Sequence, residues 1–224
     1  MKSGQRYQIS WNIWIVVNRK NYIVYGPGRT GSHWVESILT DLLGHGGTGW
    51  SVKDNDDVRL LPGNWIYHTN TIDLLRNIHK EVSDSVTLIY CNRKNYFDVV
   101  VSLCMARATN EWYQYTDKII QPFTIDVIEF NNILTSYYAR HEDFNHMIQE
   151  TVYPEVRYSK IITIEYEDLV NADIPEKYVA ACLQIPYTET LKWAQKTNVK
   201  TTRNYKDLIL NWNELVAAHG QVDY

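Results

Sequence analysis

Short apolar runs alternate with helical patterns along this chain. Four such runs, bounded by polar residues, predict buried β-strands at residues 22–25, 65–67, 86–91 and 161–164. A further strand-like segment, residues 11–17, precedes them. Strands that alternate with helices predict a parallel sheet, because a parallel connection needs roughly a dozen residues and is usually helical.

Apolar residues recur at helical spacing between the predicted strands. The clearest helix begins at Ser32, after a Gly-rich loop, and carries apolar residues to Leu43. Further helices are predicted from residue 71 or 73, from about 98, from 124 or 126 to about 149, and over about 176–183 and 206–218. The predicted fold is a single α/β domain over residues 1–224. It has a mostly parallel central sheet, helices on both faces and a P-loop-like phosphate loop after the first buried strand.

Residues with ligand-binding chemistry follow the ends of the predicted strands. Gly28, His68, Arg93 and Tyr166 each come within a few residues of such an end. Ligands of parallel sheets bind at the carboxyl ends of the strands. We therefore expect these four positions to lie on one side of the molecule.

Length and charge narrow the class of protein. A chain of 224 residues, 45 % hydrophobic and 21 % charged, has the composition of one globular domain with a sizeable core. The formal net charge of −4 provides no general basic field, so no nucleic-acid partner is expected. An anionic ligand must therefore be held by local groups.

The cysteines and the N-terminal segment indicate the cellular compartment in which the protein is expected. Cys91, Cys104 and Cys182 are odd in number and lack paired or metal-binding spacing, which indicates free thiols in a reducing compartment. The N-terminus lacks the charged-then-apolar pattern of a signal peptide. No apolar run approaches the ~20 residues of a membrane span. A cytoplasmic protein with no membrane span is expected.

Residues 26–34 (GPGRTGSHW) are the segment with the most candidate chemistry. A Gly-rich turn between a strand and a helix directs backbone N–H groups at an anion, and the helix dipole adds to the attraction. Arg29 adds a planar cation suited to phosphate or sulfate oxygens, and Ser32 and His33 add side-chain donors. The Walker A ending Gly-Lys-Ser/Thr is missing, so the lysine and Mg²⁺-binding hydroxyl of a kinase have no counterpart.

Four segments resemble the PAPS-dependent sulfotransferases, which use 3'-phosphoadenosine-5'-phosphosulfate as donor. Residues 29–34 (RTGSHW) resemble the family's 5'-phosphosulfate loop. Residues 88–93 (LIYCNR) with 98–102 (DVVVS) resemble its 3'-phosphate motif. Residues 164–169 (IEYEDL) resemble its Tyr-Glu-Asp-Leu strand end, and residues 182–186 (CLQIP) its Leu-Gly-Ile-Pro turn. The segments occur in the family's order and span about residues 20 to 190.

The resemblance implies a role for each matching residue. Arg29 takes the position that contacts the bridging oxygen and the sulfuryl group. Trp34 and Tyr166 take the positions that pack on adenine from its two sides, while Arg93 and Ser102 match the pair that binds the 3'-phosphate. Gly31, Ser32 and His33 take the positions that surround the 5'-phosphate, and Gly28 and Thr30 complete the predicted cofactor-binding residues.

The sequence departs from the family pattern in three places. Arg93 and Ser102 are nine positions apart instead of eight, and the additional residue is expected in the turn at residues 94–97. His33 stands where the family has a hydroxyl residue. Ile66 stands where the cytosolic branch has a lysine, two residues before its catalytic histidine.

His68 is the expected catalytic base, because the cytosolic sulfotransferases carry their catalytic histidine after the second strand. An imidazole that titrates near neutrality can accept a proton from an attacking hydroxyl. The alternative for His68 is a structural role at the strand end. Glu36 and Glu165 are rival bases, since other branches use a glutamate, and Glu36 has a solvent-facing position as its own alternative.

These patterns predict in-line transfer of a sulfuryl group from PAPS to a hydroxyl or amine acceptor, with release of the desulfated nucleotide PAP. Arg29 is expected to stabilise charge on the leaving phosphate and His68 to accept the proton. No metal is expected. The sequence leaves open which small-molecule, glycan or lipid acceptor is used. It also leaves two alternatives: a nucleotide-dependent phosphotransferase with a degenerate P-loop, and a non-catalytic protein that kept a nucleotide-binding fold.

Overall fold

A computed structural model describes residues 21–43, 66–77, 86–110, 121–149, 158–187 and 205–220. Its four strands are β1 Asn21–Tyr25, β2 Ile66–Thr69, β3 Val86–Asn92 and β4 Lys160–Glu165. They form one sheet in the order β2-β1-β3-β4, and every neighbouring pair is parallel. The predicted α/β sheet is thereby confirmed. The strand-like segment at residues 11–17 lies outside the described residues.

Helices connect and flank the strands. The described helices are α1 Ser32–Leu43, α2 Ile72–Asn77, α3 Tyr96–Thr109, α4 Val127–Gln149, α5 Tyr166–Asn171, α6 Pro175–Leu183 and α7 Trp212–His219, with a 3₁₀ turn at Tyr205–Asp207. No helix in the described ranges is long and apolar enough to cross a membrane. The extent of the domain over the whole chain stays a prediction.

The two faces of the sheet are each covered by helices, as predicted. Alternate side chains of a strand point to opposite faces, so β1 contributes Ile23 to one core and Val24 to the other. The Ile23 face packs against α2 and α4, through residues such as Leu75 and Phe144. The Val24 face packs against α1, α5 and α6. A third cluster joins α3, α4 and α7.

Several element boundaries differ from the sequence prediction, among them that of β2, which runs to Thr69 and so contains His68 instead of ending before it. The helix predicted from about residue 98 begins at Tyr96, because the Asn95 side chain caps it by accepting a hydrogen bond from the Asp98 N–H. The helix predicted over residues 206–218 is divided into the 3₁₀ turn and α7. An isolated parallel β-bridge pairs Phe123, just before α4, with Ile209, just before α7.

The register fixes where the strands end relative to each other. Tyr25, the last residue of β1, is paired with Thr69 at the end of β2 and with Tyr90 of β3. Asn92 at the end of β3 is paired with Glu165 at the end of β4. The β1–α1 loop, the β3–α3 turn and the start of α5 therefore meet at one edge, where parallel sheets bind ligands.

Candidate functional site

The β1–α1 loop, residues 26–31, has an alternating backbone at its end, and the predicted phosphate loop stays a prediction. Arg29 and Gly31 have φ angles of 69° and 81°, while Thr30 between them does not have a positive φ. Alternation of this kind turns successive N–H groups toward one point. The Gly31 carbonyl accepts hydrogen bonds from the N–H groups of Trp34 and Val35, at 2.9 and 3.1 Å, and so begins α1. First-turn N–H groups have no partner within a helix and can bind an anion.

Gly31 lies against the ring of Tyr166, at the start of α5. A Cβ atom at residue 31 would stand 2.7 Å from Tyr166 Cδ2, so only glycine fits there. The guanidinium carbon of Arg93 lies 4.5 Å from the centre of the same ring, within cation–π distance. Tyr166 therefore separates the loop from Arg93 and contacts both.

Arg29 points from the loop to α3. Its Nε donates a hydrogen bond to Ser102 Oγ at 2.9 Å, although the two residues are 73 positions apart. Ser102 is buried, at 6 % exposure. The structure thus brings together two of the predicted cofactor-binding side chains by direct contact.

Arg93 is 9 % exposed and lies between two carboxylates. Its Nη2 is 3.5 Å from Asp98 Oδ2, and its Nε is 3.9 Å from Glu167 Oε1. Glu167 also accepts hydrogen bonds from the N–H groups of Lys94 and Asn95, at 3.2 and 3.4 Å. The turn after β3 is therefore closed by α5, while the position of the additional residue relative to the family pattern stays a prediction.

His68 is the third of the four residues of β2 and is 4 % exposed. Its Nε2 lies 2.7 Å from Ser32 Oγ, and its ring centroid is 3.9 Å from that of His33. The pKa of His68 is lowered to about 4, chiefly by burial and also by His33, while Glu36 acts to raise it. His68 is consequently neutral at pH 7, and it is a weaker base than the imidazole titrating near neutrality that the sequence analysis expected.

Glu36 is buried at 6 % exposure, and the solvent-facing alternative for it is wrong. It lies one helical turn after His33, and its Oε2 is 3.4 Å from His33 Nδ1. This helix face packs on β2, which carries His68. Residues three positions apart share a helix face, and the sequence does not say which face packs inward.

Glu165, the second rival base, has a partner in the neighbouring strand. Its Oε2 accepts a hydrogen bond of 3.0 Å from Asn92 Nδ2. Asn92 Oδ1 in turn accepts from the Tyr96 hydroxyl at 3.2 Å. Glu165 therefore belongs to the hydrogen bonds that join the ends of β3 and β4.

The remaining predicted loop residues face inward. Thr30 is 2 % exposed, and its Oγ1 has no hydrogen-bond partner in the part of the chain that the structure describes. Trp34 is partly buried and packs against the core on the α1 side of the sheet. The Gly28 carbonyl accepts a hydrogen bond of 2.7 Å from the Tyr137 hydroxyl. Of these three residues, Gly28 thus connects the loop to α4, and the roles of Thr30 and Trp34 in nucleotide binding stay predictions.

Tyr137 is a supporting residue that the sequence analysis missed. It lies on α4, is 4 % exposed and holds the loop through the Gly28 carbonyl. Arg140, one turn further along α4, has its guanidinium carbon 5.9 Å from the Tyr137 ring centre. The neighbouring residues do not set Tyr137 apart from the other tyrosines among the 17 in the chain. Its role comes from its contact with Gly28, which is 109 positions away.

No family model matches the sequence, and no curated protein matches it significantly. Function is therefore argued from the residues and the geometry described above.

Proposed function

We propose that the protein is a sulfotransferase that moves a sulfuryl group from PAPS to a hydroxyl or amine acceptor and releases PAP. The observation that carries this proposal is the contact between the β1–α1 loop and α3, in which Arg29 Nε donates to Ser102 Oγ at 2.9 Å. It joins the segment proposed for the 5'-phosphosulfate to the segment proposed for the 3'-phosphate. The fold alone would suit many nucleotide-binding proteins.

The loop supports binding of the 5'-phosphosulfate. The alternating backbone of residues 29–31 and the first turn of α1 supply N–H donors, and the helix dipole favours an anion there. Arg29, which is not fully buried, supplies the cation. The overall charge of −4 makes such local donors necessary.

Arg93 and Ser102 support binding of the 3'-phosphate, the group that distinguishes PAPS from ATP. A guanidinium and a hydroxyl can together bind phosphate oxygens with charge-assisted hydrogen bonds. Asp98 and Glu167 hold the Arg93 guanidinium near the end of β3. Tyr166 contacts both Arg93 and Gly31, so it lies between the two proposed phosphate positions and suits packing on adenine.

In the proposed reaction, the acceptor oxygen or nitrogen forms a bond to sulfur while the bond from sulfur to the bridging oxygen breaks. Negative charge develops on the 5'-phosphate of PAP, where Arg29 stabilises it. The acceptor proton goes to a base, for which we propose His68. An acceptor can reach His68 Nε2 only by displacing the Ser32 hydroxyl, so Glu36 and Glu165 remain the rivals that mutation must test.

Two other functions remain as alternatives. A nucleotide-dependent phosphotransferase would need a lysine in the loop and a pair of Mg²⁺ ligands, and residues 26–34 contain no lysine. A non-catalytic binding protein would need neither Arg29 nor a base for its activity. Measurements of nucleotide binding and of turnover distinguish these two alternatives from a sulfotransferase.

Thermal stabilisation by nucleotides tests the proposal. We expect PAP at a hundredfold excess over its Kd to stabilise the protein by about 2.7 kcal/mol, and ATP with Mg²⁺ to stabilise it much less. Ser102→Ala is the matched variant, because it removes one proposed 3'-phosphate contact by deleting a single hydroxyl. Stabilisation by ATP and not by PAP would refute the proposal. Stabilisation by PAP without turnover on any hydroxyl or amine acceptor would favour the binding protein.

The acceptor and the compartment are also proposals. We propose a small-molecule, glycan or lipid acceptor and action in the cytoplasm. The cysteines among the described residues, Cys91, Cys104 and Cys182, are all free, which is compatible with a reducing compartment. A screen of hydroxyl acceptors with labelled PAPS identifies the acceptor class.

A further inference from the structure

Three metal-binding side chains meet where the first turns of α1 lie against β2. His33 and Glu36 are one turn apart on α1, with His33 Nδ1 3.4 Å from Glu36 Oε2. His68 reaches the same place from β2, its ring centroid 3.9 Å from that of His33. One ligand atom from each of the three lies within 4.8 Å of the others. Ligands of one tetrahedral Zn²⁺ lie roughly 3.3 Å apart, given bonds of about 2.0–2.1 Å, so the three ligand atoms must approach one another by at most about 1.5 Å to hold one ion.

Two of these side chains bury a polar atom that lacks a hydrogen-bond partner among the described residues. The atoms are Glu36 Oε1 and His68 Nδ1, and their residues are 6 % and 4 % exposed. Burying a carboxylate oxygen without a partner is unfavourable, and the same holds for an imidazole nitrogen. Both atoms belong to residues of the cluster, and a cation bound by these two side chains would offset the cost of burying their polar groups. The side chain of His33 is about half exposed, which gives an ion access from solvent.

The contact between His68 and Ser32 prepares the ring for a metal. When Nε2 carries the proton and donates it to Ser32 Oγ, the lone pair of Nδ1 is left for a cation. Metal-binding histidines usually donate their second ring N–H to an oxygen in this way, which fixes the tautomer and the ring orientation. Ser32 thus orients the His68 ring as a metal ligand.

We infer that His33, Glu36 and His68 form a site for a divalent cation of the zinc type. Two imidazoles and one carboxylate are a ligand set for Zn²⁺, Co²⁺ and related ions, whereas Mg²⁺ and Ca²⁺ prefer oxygen ligands. The bound ion joins the first turns of α1 to β2. It also takes the lone pair of His68, so the metal-bound form does not use that residue as a proton acceptor.

This site goes beyond sulfuryl transfer, which needs no metal. It shares His33 and His68 with the proposed function, but the two are tested separately, since metal binding is measured without nucleotide and PAP binding is measured in EDTA. Failure to bind metal would therefore not refute PAP binding, and failure to bind PAP would not refute the metal site.

Cobalt binding tests the site. The full-length protein is freed of metal with EDTA, dialysed and titrated with Co²⁺, while visible absorption reports tetrahedral coordination. We expect one Co²⁺ per chain, displaced by an equivalent of Zn²⁺ and not by excess Mg²⁺. Glu36→Gln and His68→Gln should each weaken Co²⁺ binding at least about tenfold, as should His33→Asn.

Matched substitutions control for surface binding and for misfolding. His146→Asn and Glu142→Gln alter exposed residues of α4 and should leave Co²⁺ binding unchanged. His33→Asn changes an exposed side chain, so it keeps the test decisive even where a buried variant does not fold. Absence of a Co²⁺ spectrum overturns the inference. Equally, it is overturned if folded His33→Asn binds Co²⁺ as the unmodified protein does, or if His146→Asn loses the binding.

Discussion

Arg29 has a left-handed backbone conformation, which is uncommon for a residue that carries a Cβ atom. Such a conformation costs of order 1 kcal/mol or more and persists where the surroundings hold it. Here the surroundings are the Ser102 hydroxyl, which accepts from Arg29, and the Tyr137 hydroxyl, which holds the Gly28 carbonyl. The hydrogen bonds of Ser102 and Tyr137 thus stabilise the backbone conformation of the loop.

Gly31→Ala should destabilise the protein by at least about 1 kcal/mol, because alanine disfavours a φ of 81° and its Cβ would collide with Tyr166. Gly28→Ala is the matched control. Residue 28 has no positive φ, and a Cβ there would stand 3.6 Å from the Tyr137 hydroxyl, an ordinary contact. Urea unfolding of both variants measures the difference, and equal losses would contradict the packing described for Gly31.

Arg93→Ala should weaken PAP binding by about 1.5–3 kcal/mol and change binding of adenosine-5'-phosphosulfate much less, since only PAP and PAPS carry the 3'-phosphate. Calorimetry with both nucleotides gives the comparison. Arg107→Ala, which removes an exposed arginine paired with Glu129, should alter neither affinity. Equal weakening of both nucleotides by Arg93→Ala would mean that Arg93 only stabilises the turn after β3.

At the scale of elements, α1 and α3 each begin near the end of a parallel strand, and Arg29 in the loop before α1 contacts Ser102 of α3. Helix α4 supports the β1–α1 loop from the side through Tyr137, and α5 closes the β3–α3 turn through Glu167. The candidate site is therefore assembled from four helices that are far apart in sequence.

Arg29→Ala should lower the single-turnover rate about 10²- to 10³-fold with a smaller effect on PAPS affinity, because the charge it stabilises grows in the transition state. Rapid-quench measurement of both quantities in one variant decides this. Arg29→Lys, which retains the positive charge, should recover part of the rate. A variant with normal chemistry and only poorer binding would assign Arg29 to ground-state binding alone.

His68→Gln should lower the rate about 10²- to 10⁴-fold in EDTA while PAP binding is kept, the usual effect of removing a general base. Glu36→Gln and Glu165→Gln are assayed beside it. Near-normal turnover of His68→Gln together with loss of turnover in one glutamate variant would assign the base to that carboxylate. His68 would then be the structural residue that positions Ser32.

At the scale of the whole molecule, the fold buries several polar residues within one sheet and its covering helices. Glu36, His68 and Ser102 are each less than 9 % exposed. Burial of the neutral His68 couples the stability of the protein to pH.

Stability in EDTA should fall as the pH falls from about 6.5 to about 4. The folded pKa of His68 is lowered to about 4, so in this range the unfolded chain binds the additional proton. The loss attributable to His68 is about 3 kcal/mol at one pKa unit per 1.36 kcal/mol, and it is complete below about pH 4. His68→Gln should remove this part of the slope in urea unfolding. An identical slope in both proteins would contradict the burial of His68.

The sequence by itself determined the local elements and the positions of the candidate residues along them. Apolar periodicity depends on which face of a segment is buried, so it located β1, β3, β4 and the helix over residues 127–149 to within a few residues. Alternation of strands and helices predicted a parallel sheet, and this is enough to bring strand ends such as those before Gly28 and Arg93 to one edge.

Only the tertiary structure decided the strand order and which side chains meet. The 2.9 Å contact of Arg29 with Ser102 and the support of Gly28 by Tyr137 join segments 73 and 109 positions apart. The burial of Glu36 and the contact of His68 with Ser32 follow from how α1 packs on β2. Periodicity identifies a buried face and carries no information about its partner, because the partner depends on how distant segments pack together.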